Sequence, residues 1–362
     1  MTTTPPLHAI ILAGGSGTRF WPHGRRTEPK ILLPLGRDGE CLLRATVDRV
    51  GASVGSVRVV TGADQADAVA SVLPELAQAH LLREPAARDT AAAIAWALAS
   101  VRASGANDTD AVAVLPADHH IADVAAFRAD LAAATQAAVA HDRIVTFGIH
   151  PDHAATGYGY IRTGELLPGG GAYEVAAFVE KPDAETAARY LAEGRYLWNA
   201  GMFIATVGRL WSELAAHMPA LTDAVEALPA PTDAAFGAAF AALPKTSIDY
   251  GVMERSSHVA TIAATFDWSD VGSWHAVQRL RLAEGQADGN GNVVANASTD
   301  VIVLDSRDCY LQTDAGVLAV IGLDDIVVVR HGNAVLVCPR DRSEDVRRVV
   351  EELRRRGRDD MI

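Results

Sequence analysis

A glycine-rich turn followed by two cations is the first part of this chain whose residues suit chemistry. Residues 9–22 read AIILAGGSGTRFWP, and a short EPK sequence then ends at Lys30. Glycines allow backbone N–H groups to turn towards an anion, and Arg19 and Lys30 could neutralise a triphosphate from one side. The spacing fits neither the G-x-G-x-x-G fingerprint nor a Walker loop. A tight strand-to-helix turn with two surface cations explains the same residues equally well.

The stretch AVAVLPADHHI places an aspartate just after a predicted strand. Its apolar run ends at Pro116, and Asp118 follows two residues later. A carboxylate there suits Mg²⁺, which prefers one or two carboxylates together with phosphate oxygens. Asp118 could instead cap the N-terminus of the following helix, where aspartate is also favoured. The residue types alone leave both interpretations open.

Two further aspartates lie in the stretch FDWSDVGSW, among aromatic and small residues. Burying a carboxylate is costly unless it is paired or binds a metal, so Asp267 or Asp270 could complete a metal site with Asp118. Asp270 is the better candidate, because it adjoins the flexible sequence VGS. Asp267 is expected to cap or brace the turn.

Four more stretches combine glycine or a small residue with one polar group that could hydrogen-bond a polyol. Lys181 lies between Glu180 and Pro182 and could meet a monophosphate as a point charge. Asn199 lies between Trp198 and Ala200 and could bind a sugar hydroxyl. Taken separately, a surface salt bridge at Lys181 and a satisfied turn amide at Asn199 are the simpler interpretations. The four stretches are TGYGYI, FVEKP, WNAGMF and SIDYGVMER.

Strand-like and helix-like segments alternate up to about residue 280, and these elements must position the polar residues. Apolar runs predict short buried strands at HAIIL, VRVVT, AVAVL and RIVTFG. Helical periodicity predicts helices at CLLRATVDRV, TAAAIAWALASVRASG and VAAFRADLAAATQAAVAHD. This alternation is typical of a parallel sheet covered by helices on both faces. Ligands bind such sheets beyond the carboxyl ends of the strands, where the glycine turn and Asp118 fall.

The pattern changes after residue 288, where the turn-rich sequence DGNGNVVAN interrupts it. Short strands then follow at near-regular intervals: VIVL, CYLQ, VLAVI, IVVV and AVLV. They predict a small solenoid or a stack of hairpins, and the charged tail DRSEDVRRVVEELRRRG predicts a terminal amphipathic helix. We therefore expect two domains, 1–285 and 286–362.

Composition narrows the class of protein. The formal net charge of −13 argues against a nucleic-acid-binding protein, which needs a basic face, but does not exclude a single bound nucleotide. The three cysteines fit neither a zinc spacing nor an even disulfide set. The sequence MTTTPPLHAI is unlike a signal peptide, and no apolar run approaches the length that spans a bilayer. We expect a cytoplasmic protein that does not bind membranes.

Together, in this order and spacing, the stretches resemble the sugar-phosphate nucleotidyltransferases, and specifically the mannose-1-phosphate guanylyltransferases. LAGGSGTRFWP with its PK is similar to the family's nucleotide-binding signature, and REPAARDTAAAI is similar to its segment near the base. FWP, WNAGMF and SIDYGVME point to the branch that uses guanine and mannose. The segment VIGLDDIVVVRHGNAVLVCPRDRSEDV is similar to the family's C-terminal β unit, so the resemblance covers nearly the whole chain.

The resemblance implies an α/β fold. Residues 1–285 would form a GT-A-like catalytic domain with a Rossmann-like mixed, mostly parallel sheet flanked by helices. Residues 286–362 would form a short left-handed β-helix-like unit with a terminal helix. This unit and helix offer surfaces for a homodimer, although the sequence does not decide the oligomeric state.

The resemblance also implies the reaction and its residues. GTP and mannose 1-phosphate would give GDP-mannose and diphosphate, with Mg²⁺ held by Asp118 and Asp270. Arg19 and Lys30 would be catalytic. The nucleotide would be bound by Leu12, Ala13, Gly14, Gly15, Ser16, Gly17, Thr18, Glu84, Pro85, Arg88, Asp89 and Thr90. The sugar phosphate would be bound by Gly157, Tyr158, Glu180, Lys181 and Asn199.

Two departures from the family pattern bear on the fit of base and sugar. The lysine motif reads PKILLPL, where many relatives have glutamine and phenylalanine after the lysine, and RDTAAAI has alanine where proline is common. Neither removes a charged group. The alternatives are the same transfer with another nucleotide or another sugar 1-phosphate, and a non-catalytic regulatory subunit that binds GDP-mannose. The presence of both cations and both metal aspartates weighs against the regulatory subunit.

Overall fold

The computed structural model describes residues 5–15, 17–36, 39–295 and 300–362. Contacts between Cα atoms divide the chain into two compact units. The first contains residues 1–14, 44–117 and 121–268, and the second contains residues 15–43, 118–120 and 269–362. The two units interleave along the chain. The domain boundary near residue 285 stays a prediction.

A nine-stranded sheet forms the centre of the first unit, in the order β3-β2-β1-β4-β8-β5-β9-β7-β6. All four strands predicted for this part of the chain are present, as β1, β2, β4 and β5. The strands are β1 (Leu7–Leu12), β2 (Ser56–Gly62), β3 (Leu81–Glu84), β4 (Ala111–Pro116), β5 (Ile144–Ile149), β6 (Tyr160–Leu166), β7 (Tyr173–Val179), β8 (Tyr196–Thr206) and β9 (Val259–Ala263).

The sheet is mixed, as predicted, but it is not mostly parallel. Strands β3, β2, β1 and β4 pair in parallel, and so do β5 and β9. The other five described pairings are antiparallel: β4–β8, β5–β8, β6–β7, β6–β8 and β7–β9. The long strand β8 lies between β4 and β5 and pairs with both in the opposite direction. It therefore interrupts the parallel array that the sequence pattern favoured.

Ten α-helices occur among the described residues, and they include the three predicted in the first half of the chain and the terminal one. Their bounds are α1 (Leu42–Val50), α2 (Ala66–Val72), α3 (Asp89–Ala103), α4 (Val124–His141), α5 (Ala184–Glu193), α6 (Val207–His217), α7 (Pro219–Glu226), α8 (Phe236–Ala241), α9 (Trp274–Ala283) and α10 (Val346–Arg355). A short π-helix covers Asp249–Met253.

The sheet of the first unit is covered on both faces. Successive side chains of a strand point to opposite faces of the sheet, and on each face they pack in an apolar cluster. In β4, Val112 and Val114 pack in a cluster with the alanine-rich helix α3. Ala113 and Leu115 of the same strand pack in a second cluster with Phe127 of α4. A sheet with helices on both faces therefore follows from the apolar composition of these strands, as predicted.

The C-terminal part of the second unit is built from short strands that pair in parallel between successive turns of the chain. β10, β12 and β14 form one ladder, which ends in the antiparallel strand β15, and β11 and β13 form another. This arrangement agrees with a β-helix-like unit, and its handedness stays a prediction. The strands are β10 (Val293–Ala295), β11 (Asp300–Leu304), β12 (Tyr310–Gln312), β13 (Val317–Ile321), β14 (Ile326–His331) and β15 (Ala334–Pro339).

An aromatic core anchors the FWP sequence in the second unit. The ring of Phe20 packs edge-on against Trp274 of α9, with centroids 5.1 Å apart. Trp274 also stacks on Tyr310 of β12 and donates its indole N–H to the carbonyl of Trp21. Trp21 in turn donates its own indole N–H to the carbonyl of Met361. The segment that carries Arg19 is thus fixed by burial of the residues just after it.

Across the described ranges, the α-helices are all too short or too polar to cross a bilayer.

Candidate active site

The glycine turn brings the backbone of Gly17 against Lys30. Gly17 has a left-handed φ of +58°, and a Cβ atom there would lie 2.5 Å from the backbone nitrogen and 2.6 Å from Cβ of Lys30. A larger residue would therefore clash as well as strain the backbone. Gly14 and Gly15 are exposed, and a Cβ on either would meet open space. The turn thus has one glycine required by close packing and two that leave space on its surface.

Arg19 lies in a 3₁₀ turn, Thr18–Phe20, directly after Gly17. Phe20 is buried in the aromatic core, whereas Arg19 is exposed. The guanidinium is therefore available to a ligand, while its backbone is held by the buried neighbour. Exposure by itself also fits the simpler interpretation, in which Arg19 is a surface cation.

Lys30 is not a surface cation, although the simpler interpretation of the sequence made it one. It is 6% exposed. Its ammonium donates to Oδ2 of Asp118 at 2.8 Å and to the backbone carbonyl of Asp270 at 2.5 Å. Lys30 therefore joins the two aspartates that the sequence pattern predicted for a metal. We call Arg19, Lys30, Asp118 and Asp270 the Lys30 cluster.

A backbone bridge holds the two aspartate-bearing segments side by side. The N–H of His120 donates to the carbonyl of Ser269 at 2.8 Å, and the N–H of Ser269 donates back to His120 at 3.0 Å. Asp118 and Asp270 lie within two residues of this antiparallel bridge. Residues far apart in the sequence are thereby brought into one place by main-chain hydrogen bonds, which side-chain substitutions leave intact.

Gly272 provides the space in which Arg19 and Asp270 approach each other. A Cβ atom on Gly272 would lie 2.9 Å from Oδ2 of Asp270 and 3.3 Å from Nη1 of Arg19. The preceding residue, Val271, has a φ of +46°, an unfavourable conformation for a β-branched residue that costs on the order of 1–3 kcal/mol. Backbone strain of this kind persists only where the surrounding structure holds the backbone in place. Here the strained residue is Val271, directly after Asp270.

The carboxyl group of Asp118 is held in its ionised form. Burial alone would raise its pKa, but the charges of Lys30 and His119 outweigh that effect, so the pKa lies below the usual range. The alternative role of Asp118, capping a helix, belongs to another residue: Asp123 accepts from Ala126 N at the start of α4. Asp118 is therefore an anionic group in a polar cluster.

Asp267 braces the start of α4, in agreement with the role expected for it. Its carboxylate oxygens accept from the backbone N–H groups of Ala122 and Asp123 at 2.7–3.0 Å. Asp123 is the N-cap residue of α4 and Ala122 precedes it, so Asp267 fixes the backbone at the point where the helix begins. Of the two aspartates in FDWSDVGSW, Asp270 is the one that belongs to the Lys30 cluster.

A second polar cluster lies in the first unit around Asn199 of β8. The Oδ1 atom of Asn199 accepts from Thr146 Oγ1 at 2.9 Å and from Gly201 N at 3.1 Å. Its Nδ2 donates to Oδ1 of Asp249 at 3.1 Å. Asn199 is thus a buried amide on a strand, and not the turn amide of the simpler interpretation. We call Glu180, Lys181, Asn199 and Asp249 the Asn199 cluster.

Asp249 is a member of the Asn199 cluster that the sequence pattern did not single out. Burial and the negative charge of Glu180 raise its pKa to about 6. It begins the π-helix of the SIDYGVMER stretch, a kind of distortion that is frequent at functional sites. One signal was available in the sequence, because Asp249 lies next to Ile248 and close to Val252 and Met253, and an acid in an apolar stretch requires a partner.

Glu180 and Lys181 follow the end of β7. Their side chains form an ion pair in which the Glu180 side chain is 7% exposed and the Lys181 side chain 56% exposed. A Cβ atom on Gly159 would lie 2.5 Å from Oε2 of Glu180, so that glycine is needed for the approach. Lys181 has a φ of +46°. In the described ranges, seven non-glycine residues have positive φ; five are aspartates, and Lys181 and Val271 are the others.

The predicted sugar residues Gly157 and Tyr158 lie on the loop before β6. Gly157 is exposed, and a Cβ atom on it would meet open space. The ring of Tyr158 packs edge-on against Trp198 and Trp268, with centroids 4.9 Å and 5.4 Å away. Tyr158, Trp198 and Trp268 therefore form an aromatic cluster beside Asn199, which follows Trp198 on β8.

The segment from Glu84 to Thr90 leaves β3 and enters α3. Burial raises the pKa of Glu84 to about 7, and its Oε1 atom is buried without a hydrogen-bond partner in the described structure. The Nε atom of Arg88 is likewise buried without such a partner. Thr90 instead accepts from the backbone N–H of Ile248 at 2.9 Å, next to Asp249. Glu84 and Arg88 thus present an acceptor and a donor that a ligand could satisfy.

The remaining predicted nucleotide residues have backbone roles or are exposed. Leu12 ends β1, and Ala13 donates its N–H to Val60 O at 2.7 Å, extending the pairing with β2. Pro85 and Asp89 are exposed, and Asp89 has a φ of +64° at the start of α3. Ser16 lies outside the described residues.

The chain is similar to known proteins over most of its length. Residues 8–285 match the family described as Nucleotidyl transferase, and residues 299–353 match the MannoseP isomerase/GMP-like beta-helix domain. The chain is 38% identical to the mannose-1-phosphate guanylyltransferase of Escherichia coli strain K12, with 97% of this chain and 74% of that protein covered. It is 39% identical to the xanthan biosynthesis protein XanB of Xanthomonas campestris pv. campestris strain B100, with 96% and 73% covered.

A solved structure is similar over almost the whole chain. It is the crystal structure described as mannose-1-phosphate geranyltransferase from Thermus thermophilus. The TM-score is 0.85 at 36% sequence identity, and the match covers 96% of this chain and 99% of that one.

Proposed function

Because the chain belongs to the mannose-1-phosphate guanylyltransferases of the nucleotidyl transferase family, we propose that it transfers GMP from GTP to mannose 1-phosphate. A phosphate oxygen of the sugar phosphate attacks the α-phosphorus, the bond to the β-phosphate oxygen breaks, and diphosphate leaves with its electron pair. No protein nucleophile is needed, since the attacking phosphate is already ionised. The protein's contribution is alignment and compensation of charge.

The Lys30 cluster is the observation that carries this proposal. A buried ammonium joins the carboxylate of Asp118 to the backbone of Asp270, and an arginine lies across Gly272 from the Asp270 carboxylate. Alternating fixed charges of this kind suit a triphosphate and its counter-ion, because both signs of charge must be matched in one place. A simple surface turn would not require a buried lysine.

The nucleotidyl transferase family generally uses a divalent cation, and we propose Mg²⁺ bound by Asp118 and Asp270. The donor set fits, since Asp118 is kept ionised and the His120–Ser269 bridge keeps the two aspartate segments together. Carboxylates with phosphate oxygens are ligands that Mg²⁺ prefers. When bound, Mg²⁺ supplies positive charge to the phosphate oxygens of the transition state.

The two cations have different tasks in this proposal. Arg19 is exposed and stabilises the charge that builds up on the departing diphosphate. Lys30 is committed to Asp118 and Asp270, so it positions the metal-binding carboxylate as well as facing the triphosphate. The flexible guanidinium reaches the substrate, and the buried ammonium orders the residues around it.

The Asn199 cluster is proposed to bind the sugar phosphate. Lys181, whose side chain is more than half exposed, meets the phosphate of mannose 1-phosphate, while Glu180 and Asn199 orient the hydroxyls. Asp249 joins them as a positioning residue, because it holds the amide of Asn199. Gly157 and Tyr158 border the same site.

The segment around Glu84 is proposed to face the nucleoside. Guanine presents two neighbouring donors, its ring N–H and its amino group, and the unpartnered Oε1 of Glu84 is an acceptor for them. Arg88, Asp89 and Thr90 lie on the same segment and would contact or brace the ribose. We also propose nucleotide contacts for residues 12–18 and for Pro85.

The experiment is an assay of diphosphate release by the purified protein, with four nucleoside triphosphates and several sugar 1-phosphates in the presence of Mg²⁺. The proposal predicts the highest kcat/KM for GTP with mannose 1-phosphate. A higher value with another pair would move the assignment to that pair. Tight binding of GDP-mannose without diphosphate release would show that the protein is a regulatory subunit and not an enzyme.

We also propose that the protein works in the cytoplasm. Its three cysteines, Cys41, Cys309 and Cys338, form no disulfide bond in the described part of the chain, which suits a reducing compartment.

A further inference from the structure

Two histidines and a glutamate converge in the second unit, apart from the residues assigned to the reaction. His23 and Glu28 lie in the segment that connects Arg19 to Lys30, and His331 ends β14. Each offers one ligand atom, and these atoms all lie within 4.8 Å of one another. The imidazole rings of His23 and His331 are stacked, with centroids 4.3 Å apart.

The outer nitrogen of each histidine already has a polar partner. Nδ1 of His331 lies 3.4 Å from Oδ2 of Asp314, and Nε2 of the same ring lies 3.1 Å from Oε2 of Glu28. Nδ1 of His23 lies 3.0 Å from the amide of Gln312. Histidines that bind metals are usually held in this way, by a carboxylate or carbonyl on the ring nitrogen that does not face the metal.

Gln312 is a buried partner. It is 5% exposed, and Tyr310, which is 1% exposed, donates its hydroxyl to Oε1 of the Gln312 amide at 2.9 Å. If the amide turns over, its oxygen accepts from Nδ1–H of His23 and its NH2 group donates to the hydroxyl of Tyr310, so that Nε2 of the His23 ring is available to a metal. Each of the two imidazoles is thus held by a polar side chain at its Nδ1 atom, Gln312 for His23 and Asp314 for His331.

We propose that His23, Glu28 and His331 form a binding site for a divalent transition-metal ion of the zinc type. Two imidazoles and one carboxylate are a ligand set that Zn²⁺ accepts, with one further position open to water. The cation takes the place of the proton on Nε2 of His331, between that nitrogen and the Glu28 carboxylate. Mg²⁺ would not compete well, because it prefers oxygen ligands.

Only a small closure of the side chains is needed. Zinc–nitrogen and zinc–oxygen bonds of about 2.0–2.2 Å place tetrahedral ligand atoms roughly 3.4 Å apart. The nitrogen of His331 and the oxygen of Glu28 are already at 3.1 Å. His23 completes the set by tilting out of its stacked position.

The site would restrain the segment between the two proposed catalytic cations. His23 and Glu28 both lie between Arg19 and Lys30, and His331 belongs to the β14–β15 ladder. A metal that binds the folded protein and not the unfolded one stabilises the folded state by mass action. The bound ion therefore has a structural role, and it links the catalytic segment to the C-terminal strands.

The first test is a Co²⁺ titration of the untagged, full-length protein, followed by visible absorption. Co²⁺ is a spectroscopic substitute for Zn²⁺, and a site of low coordination number gives intense d–d bands. We expect the bands to saturate at one equivalent of Co²⁺ per chain and to disappear on addition of Zn²⁺, and we expect no thiolate-to-cobalt charge-transfer band. His23→Ala and His331→Ala should abolish the bands. Glu28→Gln should weaken binding at least about tenfold.

The Glu28→Gln protein and two further variants make the test specific. Glu28 is exposed at the surface, so the Glu28→Gln protein should fold normally and report on binding alone. His141→Ala removes a histidine from the end of α4 and should bind Co²⁺ as the wild type does. The Asp118→Asn/Asp270→Asn protein should also keep the histidine site, because neither aspartate is one of its proposed ligands.

Gln312→Leu distinguishes a supported metal site from an accidental group of side chains. Loss of an outer partner of a metal-binding histidine typically costs about 10–100-fold in affinity, so this variant should still bind one equivalent of Co²⁺, but with that loss. The proposal is overturned if the wild type binds less than about one-fifth of an equivalent. It is also overturned if the intense bands survive in both His23→Ala and His331→Ala, or if the spectrum shows thiolate ligands.

Discussion

The two polar clusters of this molecule handle charge in opposite ways. In the Lys30 cluster a buried ammonium and a neighbouring histidine lower the pKa of Asp118, so that its carboxylate stays ionised. In the Asn199 cluster burial and a second carboxylate raise the pKa of Asp249 to about 6. The first cluster keeps its charges by pairing them, whereas the second carries two carboxylates with a single, largely exposed lysine.

This difference corresponds to the two substrates of the proposed reaction. A triphosphate and its metal present high charges of both signs, which suit preorganised ions. A sugar presents neutral hydroxyl groups, which suit amides and carboxylates that accept or donate hydrogen bonds. Substitutions should therefore affect turnover most in the Lys30 cluster, and sugar affinity and pH dependence most in the Asn199 cluster.

The largest effect is expected from Asp118→Asn and Asp270→Asn. Removing a metal-binding carboxylate forfeits part of the several kcal/mol that a cation contributes to transition-state stabilisation. A loss of about 4 kcal/mol would lower kcat by roughly a thousandfold, measured by diphosphate release at saturating substrates. Asp267→Asn is the matched control, because it changes the neighbouring aspartate that braces α4. It should keep turnover within a few-fold of wild type.

Arg19→Ala should follow, with a loss of about 3 kcal/mol or roughly a hundredfold in kcat. KM for mannose 1-phosphate should change little, since the proposed role of the guanidinium is to stabilise the departing diphosphate. Arg26→Ala, an exposed arginine of the same segment, serves as the control. An Arg19→Ala protein whose kcat stays within a few-fold of wild type would remove Arg19 from the catalytic group.

Asp249→Asn tests the raised pKa in the Asn199 cluster through protein stability. The folded-state pKa of about 6 exceeds the usual value of 3.8, so between these values the folded protein binds more protons than the unfolded one. Its stability therefore falls as pH rises through that window. Asparagine keeps the acceptor for Asn199 and removes the charge. Relative to wild type, the variant should gain roughly 1–2 kcal/mol between about pH 5 and pH 8.

The readout is denaturant unfolding of both proteins at the two pH values. A difference in free energy of unfolding that does not change with pH would mean that Asp249 titrates normally. The Glu254→Gln protein offers a comparison at an exposed carboxylate that accepts from Glu180 N, and it should show no such gain.

The smallest effect is expected at Gly159. An alanine there would place Cβ 2.5 Å from Oε2 of Glu180, so the carboxylate must move away. We expect KM for mannose 1-phosphate to rise about tenfold, from the loss of one hydrogen bond to a charged group, with kcat nearly unchanged. Gly237→Ala, where the nearest atom is 4.0 Å away, is the control. An unchanged KM would separate Glu180 from sugar binding.

Sequence patterns predicted the local elements of the fold well. The apolar runs at β1, β2, β4 and β5 and the periodic helices α3 and α4 depend on neighbouring residues, which the sequence displays directly. The insertion of β8 between β4 and β5 could not be predicted in this way, because periodicity specifies neither a strand's neighbour nor its direction.

In the candidate site too, local motifs could be predicted from the sequence and long-range contacts could not. Arg19, Lys30, Asp118 and Asp270 were selected from their motifs, and the structure brings Lys30, Asp118 and Asp270 into contact. The burial of Lys30 against Gly17 was not predictable, since it depends on packing of a turn upon a residue thirteen positions later. The pairing of Asn199 with Asp249 was missed for the same reason, as it joins a strand to a distant π-helix.

The most direct test is a Mg²⁺ titration of diphosphate release at saturating GTP and mannose 1-phosphate. It asks whether the carboxylates of Asp118 and Asp270, whose segments the His120–Ser269 bridge holds side by side, bind one divalent ion. Asp118→Asn and Asp270→Asn should each move the half-saturating Mg²⁺ concentration upward by about tenfold or more, while Asp267→Asn leaves it unchanged. Titration curves in both variants that coincide with that of the wild type would contradict a metal site built from this pair.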